Sequence, residues 1–138
     1  MSQTIKLKKG FDLNLAGKAE KTTIEVPHSE TYALKPTDFQ GLSRPKMVVK
    51  EGDNVKAGSP LFYERNAEDI LYTSPVSGEV VEIKRGEKRK VLEVKILADK
   101  QVEFESFKKY SSSDLGNLTK EDAIDQLKQS GGWTNIIQ

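Results

Sequence analysis

Cysteine is absent from the 138 residues and histidine occurs once, as His28. The first absence removes disulfides, thiolate metal centres, iron–sulfur ligation and cysteine nucleophiles together. The second removes any His-pair metal site or His-rich catalytic cluster. No apolar run reaches the about 18 residues that a membrane-spanning helix requires. The polar opening MSQTIKLKKG lacks the apolar stretch of a secretory signal. An excess of charge of one sign is missing too: 22 Lys and Arg stand against 21 Asp and Glu, a formal charge of +1. That balance argues against a broad electrostatic grip on nucleic acid or anionic lipid. Neither a GxGxxG nor a Walker loop is present, and the Gly-Ser and Gly-Gly pairs read as turns. Ser74 and Ser77 lack the strand–turn–helix context of a nucleophile elbow. The residues therefore offer no catalytic, cofactor-binding or metal site. A chain of this length buries roughly two-thirds of its unfolded surface. At 36% hydrophobic, 31% charged and a mean hydropathy of −0.59, it reads as one soluble, cytoplasmic domain with a modest core.

What is there is a series of short strands punctuated by Gly and Pro. Expected strands are 22–26, 32–34, 47–50, 61–64, 70–73, 79–84, 91–97 and 102–107. Leu92, Val94 and Ile96 alternate with Glu93 and Lys95, the mark of a strand with one wet face. Val102 and Phe104 repeat the alternation against Glu103 and Glu105. Strands arriving about every ten residues favour a small barrel or sandwich over parallel α/β units. Val49-Lys50-Glu51-Gly52-Asp53 is echoed 34 residues later by Ile83-Lys84-Arg85-Gly86-Glu87. In each, a β-branched residue leads into a Gly-acidic turn, which suggests two interlocked half-sheets. Gly58 and Gly78 supply further sharp turns. The last third differs: Ser111 to Gly116 is turn-rich, and Thr119 is placed to cap a helix with acidic residues in its first turn. Leu118 and Ala123 are spaced as a weak staple. Ala123, Ile124 and Leu127 form its apolar stripe, and Gly131 or Gly132 ends it. A barrel with an N-terminal extension over 1–108, and over 109–138 a linker plus helix leading to a further domain, is the expected division.

The stretch KMVVKEGDNVKAGSPLFYE (46–64) followed by YTSPVSGEVVEI (72–83) resembles the biotinyl/lipoyl-like barrel-sandwich hybrid. Its pattern is V-x-x-G-D-x-V-x-x-G-x-x-L, a hairpin, then S-P-x-S-G-x-V. Val49 and Val55 would face the core, Gly52 and Gly58 turn, Pro75 stiffens the next strand and Gly78 lets the half-sheets approach. The expected fold is mainly β, a barrel-sandwich hybrid with a short C-terminal helix. Carriers of this fold hold a Lys at the hairpin tip. Here the tip reads Arg65-Asn66-Ala67-Glu68-Asp69, and no Lys lies between Lys56 and Lys84. A carrier function fails on its one indispensable residue.

Longer segments are similar to the A subunit family of the sodium-translocating NADH:quinone oxidoreductase (Na+-NQR). They are KLKKGFDLNLAG (6–17), residues 33–62, residues 72–96 with their RGEKR hairpin, and LKQSGGWTNI (127–136), in the family's order. Asn14 stands where the family commonly has Pro, and Tyr63-Glu64-Arg65-Asn66 replaces a more usual Asp-Lys pair; both bear on sub-branch. The family continues past the Trp into a further domain, so the chain is expected to continue beyond Gln138. The resemblance implies the N-terminal, structural and interaction part of a peripheral subunit on the cytoplasmic side of the bacterial inner membrane. It implies no membrane span and no nucleic acid. The family complex oxidises NADH, reduces ubiquinone and pumps sodium. Its FAD, FMN and iron–sulfur groups sit in other subunits, which agrees with the lack of Cys here. Implied partners are those other subunits, and ubiquinone through the full-length subunit. The alternatives are the equivalent subunit of a related (Rnf-type) electron-transport complex and a non-lipoylated carrier-type domain.

Several residues are candidates for contact with partners. Lys84, Arg85, Lys88, Arg89 and Lys90 concentrate positive charge beside the lone Glu87; they read as a contact for an acidic partner, phosphate or lipid headgroups, or as a solvated hairpin tip. Trp133, Ile136 and Ile137 form an apolar segment that either docks on its own barrel or packs on a further domain. His28 is a lone histidine in a loop. Glu68 and Asp69 are adjacent carboxylates, too few alone for a sodium site. Phe39, Phe62, Tyr63 and Tyr72 read either as core and scattered surface aromatics or as a patch for a quinone ring, with alternation putting Phe62 on the face opposite Leu61 and Tyr63.

Overall fold

The alternation in residues 91–97 makes a strand with one dry row, and the larger sheet is built on it. The computed structural model describes residues 9–10 and 15–136. Asn14, Ile137 and most of the 6–17 segment lie outside the described residues. Among the described residues seven strands form: β1 (Thr31–Leu34), β2 (Pro45–Met47), β3 (Asn54–Val55), β4 (Pro60–Glu64), β5 (Ala67–Thr73), β6 (Gly78–Arg85) and β7 (Val91–Ala98). One α-helix among the described residues, α1 (Lys120–Gln129), follows them. The sheets are four-stranded, in the order β1-β7-β6-β3, and three-stranded, in the order β2-β4-β5, with antiparallel pairing throughout. The chain passes from one sheet to the other at four of the six connections between strands, so the two halves are interlocked.

Register explains the core. Val94 lies between Leu34 and Ile83, and Ile96 between Tyr32 and Val80. This row meets Leu61, Phe62 and Tyr72 from the smaller sheet, with Val55, Val76 and Val91 closing the cluster. Leu61, Phe62, Val80, Val94 and Ile96 are fully buried; burial of each such side chain contributes about 1.5–3 kcal/mol.

Two glycines permit the crossings. Gly52 adopts φ +88° with open space around its missing Cβ. Its N–H donates to the Val80 carbonyl at 2.8 Å, and the Lys50 N–H donates to the Asp53 carboxylate at 2.9 Å. Gly78 starts β6 against the end of β7, where a Cβ would lie 1.9 Å from the Leu97 carbonyl oxygen. No side chain fits there. Gly86, by contrast, has φ −101°, so the two Gly-acidic turns echo each other in sequence but not in backbone conformation. Gly58 and Pro75 flank the connections into β4 and β6, and the Gly58 N–H donates to the Ser74 carbonyl at 2.8 Å.

Some expected strands are not formed. Residues 22–26 are exposed and unpaired, with Ile24 and Val26 both more than three-quarters accessible, because no strand among the described residues lies beside them. Segment 102–107 makes only a parallel bridge between Phe104 and Ala57, held by the Ala57 N–H to Glu103 and the Glu105 N–H to Ala57, each at 2.8 Å. Its alternation has no sheet to cover it. Strand 47–50 is shifted to β2, and the two-residue β3 carries no periodic signal that sequence could offer. Leu61 and Phe62 are both buried, where alternation predicts opposite faces; a register shift between Pro60 and Phe62 turns consecutive side chains inward.

Thr119 caps α1, its hydroxyl accepting the Asp122 N–H at 3.1 Å and donating to the Asp122 carboxylate at 2.7 Å. Beyond Ser130 the chain turns through Gly131 into a short 3-10 turn, Gly132–Asn135.

Candidate interaction surface

The β4–β5 hairpin occupies the place where a carrier presents its lysine. Glu64 pairs with Ala67 across a turn of two residues, Arg65 and Asn66, both exposed. Neither bears an amine that could form an amide with lipoate or biotin. The turn is held instead by the buried Glu64 carboxylate. One of its oxygens accepts the backbone N–H groups of Ser43 (2.7 Å) and Arg44 (2.8 Å), and the other accepts that of Asn66 at 3.4 Å. The Arg44 N–H chiefly, against the opposing effect of burial, holds the carboxyl below its ordinary range. Sequence reasoning gave Glu64 no role; its only signal is a carboxylate directly before a tight turn.

The C-terminal segment lies along β5. Lys128 of α1 pairs with Asp69 at 2.5 Å, lowering the aspartate's pKa, and its ammonium sits 5.8 Å from the Trp133 ring centroid. The Thr73 hydroxyl donates to the Ser130 carbonyl at 3.4 Å. Gly131 is buried against Thr73, where a Cβ would stand 2.5 Å from the hydroxyl oxygen. Trp133 is half-buried in this seam, whereas Ile136 is exposed. Asp69 is thus spoken for by a cation of the same chain. Among the described residues no cluster of three or more His, Asp or Glu could hold a metal ion.

The aromatic residues collect inside. Phe62 and Tyr72 stack at 5.1 Å between centroids, and Phe39 meets Tyr72 edge-on at 4.7 Å. Burial pushes the Tyr72 phenol above its ordinary pKa, and Glu64 adds to the shift. Tyr63 is half-buried. Phe62 and Tyr72 are thus core packing, with Phe39 half-buried against them. Ser74 and Ser77 are buried as well, and each bonds backbone. Ser74 donates to the Val76 carbonyl at 2.6 Å, and Ser77 accepts the Glu103 N–H at 2.9 Å.

His28 is exposed beside a cleft of about 550 Å³ that it lines together with Tyr32, Pro75, Val76, Val102 and Phe104. At the far end of the larger sheet, Lys84, Arg85, Lys88, Arg89 and Lys90 are all exposed around the β6–β7 turn. The structure therefore separates the basic tip from the Trp133 seam: the one ends the four-stranded sheet, the other rests on the three-stranded one.

Two interlocked sheets around valines and aromatics, with a hairpin clamped by a carboxylate where a carrier would bear its lysine, define a barrel-sandwich hybrid domain. Comparison with known proteins agrees with that class. The chain belongs to the family described as the NqrA N-terminal barrel-sandwich hybrid domain, whose sequence model matches residues 5–99. It is similar to the A subunit of the Na(+)-translocating NADH-quinone reductase of Marinomonas sp. (strain MWYL1), at 38% identity over 95% of this chain and 29% of that protein. The corresponding proteins of Teredinibacter turnerae (37% identity) and Neisseria meningitidis serogroup A (41%) each align over 96% of this chain and 29% of their own length. The chain thus spans under a third of the length of these relatives.

Proposed function

We propose that the chain is the N-terminal structural and interaction domain of an NqrA protein, working within a sodium-translocating NADH:quinone reductase without chemistry of its own. The hairpin carries this reading: its turn offers no lysine for a prosthetic arm, and its strand β5 is covered by α1. The names of the similar proteins favour this complex over the Rnf-type alternative. Its partners are the other subunits of the reductase, with ubiquinone met only through the rest of the NqrA protein. It acts as a peripheral domain on the cytoplasmic side of the bacterial inner membrane. No helix among the described residues is long and apolar enough to cross a membrane, which suits a peripheral position.

The test is direct. The purified chain is expected to be colourless, to give its unmodified mass and to leave NADH unoxidised, while deleting it from the full-length NqrA protein abolishes recovery of an intact, quinone-reducing complex. A bound flavin with turnover, or a mass increment on a lysine, would overturn the proposal.

A further inference from the structure

The tip of the β6–β7 hairpin is held in a conformation its residues do not favour. Lys88 has φ +52° and Arg89 φ +63°, the only non-glycine residues with positive φ among those described. A left-handed residue with a Cβ is strained, and Asn or Gly is the comfortable occupant of such positions. The tip is nonetheless closely hydrogen-bonded. The Gly86 N–H donates to the Lys90 carbonyl at 2.8 Å, and the Arg89 and Lys90 N–H groups donate to Gly86 and Glu87 at 3.2 and 3.1 Å. The Arg85 guanidinium donates to the Arg89 carbonyl at 3.3 Å, which ties a side chain to the same frame.

Among the described residues, no carboxylate pairs with these cations. The ion pairs there join Lys56 to Glu103, Lys95 to Glu82 and Glu93, and Lys128 to Asp69, and none reaches the tip. Lys84 does help lower the pKa of Glu82, but from beyond pairing distance. Five cations and one carboxylate leave four net positive charges on seven residues. That sequence, KRGEKRK, contains no apolar side chain.

We propose that this tip is a docking site for an acidic protein surface, with Lys88 and Arg89 at its centre and Arg85 and Lys90 beside them. A lipid leaflet would read only the charge and would gain from an apolar side chain entering the headgroup layer, which is absent here. A fixed, strained backbone is useful only where the partner's carboxylates have fixed positions too, since Arg pairs with carboxylate through directional, paired hydrogen bonds. The proposal rests on the chain acting within a multi-subunit complex, and the partner is a carboxylate-bearing face of a neighbouring subunit.

The experiment uses the full-length NqrA protein co-expressed with the other reductase subunits and recovered through a tag on one of those. Three forms are compared: wild type, Lys88→Glu/Arg89→Glu, and Lys88→Asn/Arg89→Asn, the last keeping the turn while removing its charge. Both variants are expected to lower recovery of NqrA about tenfold at moderate salt, as loss of charge complementarity does, with no loss in the melting temperature of the domain and a gain in the Asn variant, whose side chains suit the turn. Binding of the isolated chain to phosphatidylglycerol vesicles serves as the contrasting arm. Wild-type recovery with undiminished recovery of both variants would overturn the docking site alone. Strong vesicle binding lost in the variants would assign the tip to lipid instead. Failure of the wild type itself to be recovered would overturn the complex reading, and this site with it.

Discussion

Single residues decide whether the two sheets can close on each other. Gly52 and Gly78 are both glycines at turns, but they resist substitution for different reasons. At Gly52 the space is open and only the backbone objects, so Gly52→Val is expected to lower stability by about 1–3 kcal/mol. At Gly78 the obstacle is the Leu97 carbonyl itself; Gly78→Ala is expected to leave no cooperative unfolding transition by circular dichroism. Equal, mild losses in both would show that the strands do not approach as closely as described. Glu64 makes a third, pH-dependent case. Its folded pKa lies below the ordinary 4.5, so its contribution is complete above that value and disappears as pH falls through the folded one. Thermal melts of Glu64→Gln and wild type should therefore differ most near neutrality and converge in acid. A gap that persists unchanged at low pH would mean that the charge is not what clamps residues 43 and 44.

Among the elements, legibility followed periodicity. Residues 92–96 alternate strictly enough to announce β7, and the Thr119 cap and the glycines after Gln129 bracket α1, whereas β6 carries adjacent Val80 and Val81 across a register shift. Residues 102–105 alternate as well, yet they form no ladder, because alternation reports a face that needs covering and not whether a sheet is there to cover it. The buried pair Leu61 and Phe62 was hidden for the opposite reason: a bulge breaks the rule of two that sequence reading depends on. At the candidate surfaces, the missing hairpin lysine and the run of cations were visible as composition. The Glu64 clamp and the Lys128–Asp69 pair were not, since each joins residues more than fifteen positions apart through tertiary packing. The latter pair gives an element-scale prediction. Asp69→Lys should loosen α1 from β5 and shift Trp133 emission to the red, and adding Lys128→Asp should restore it. Emission unchanged in the single variant would show that the seam is held by Gly131 and Trp133 alone.

For the whole molecule, the apolar cluster draws its members from residues 32 to 98, so the barrel owns its core and α1 adds a cover. A chain ended at residue 108 should keep its β spectrum and cooperative melt, with a lower midpoint because Leu71 and the β5 face lose their lid. Loss of all structure on that truncation would make α1 part of the folding unit. The charge layout has a further consequence. With four net positive charges gathered at one hairpin and +1 overall, the remaining residues carry three net negative ones. The hairpin is thus a local positive pole on a chain of almost no net charge. An acidic neighbour would act on that end before any other, over a reach that salt limits to a Debye length of about 8 Å.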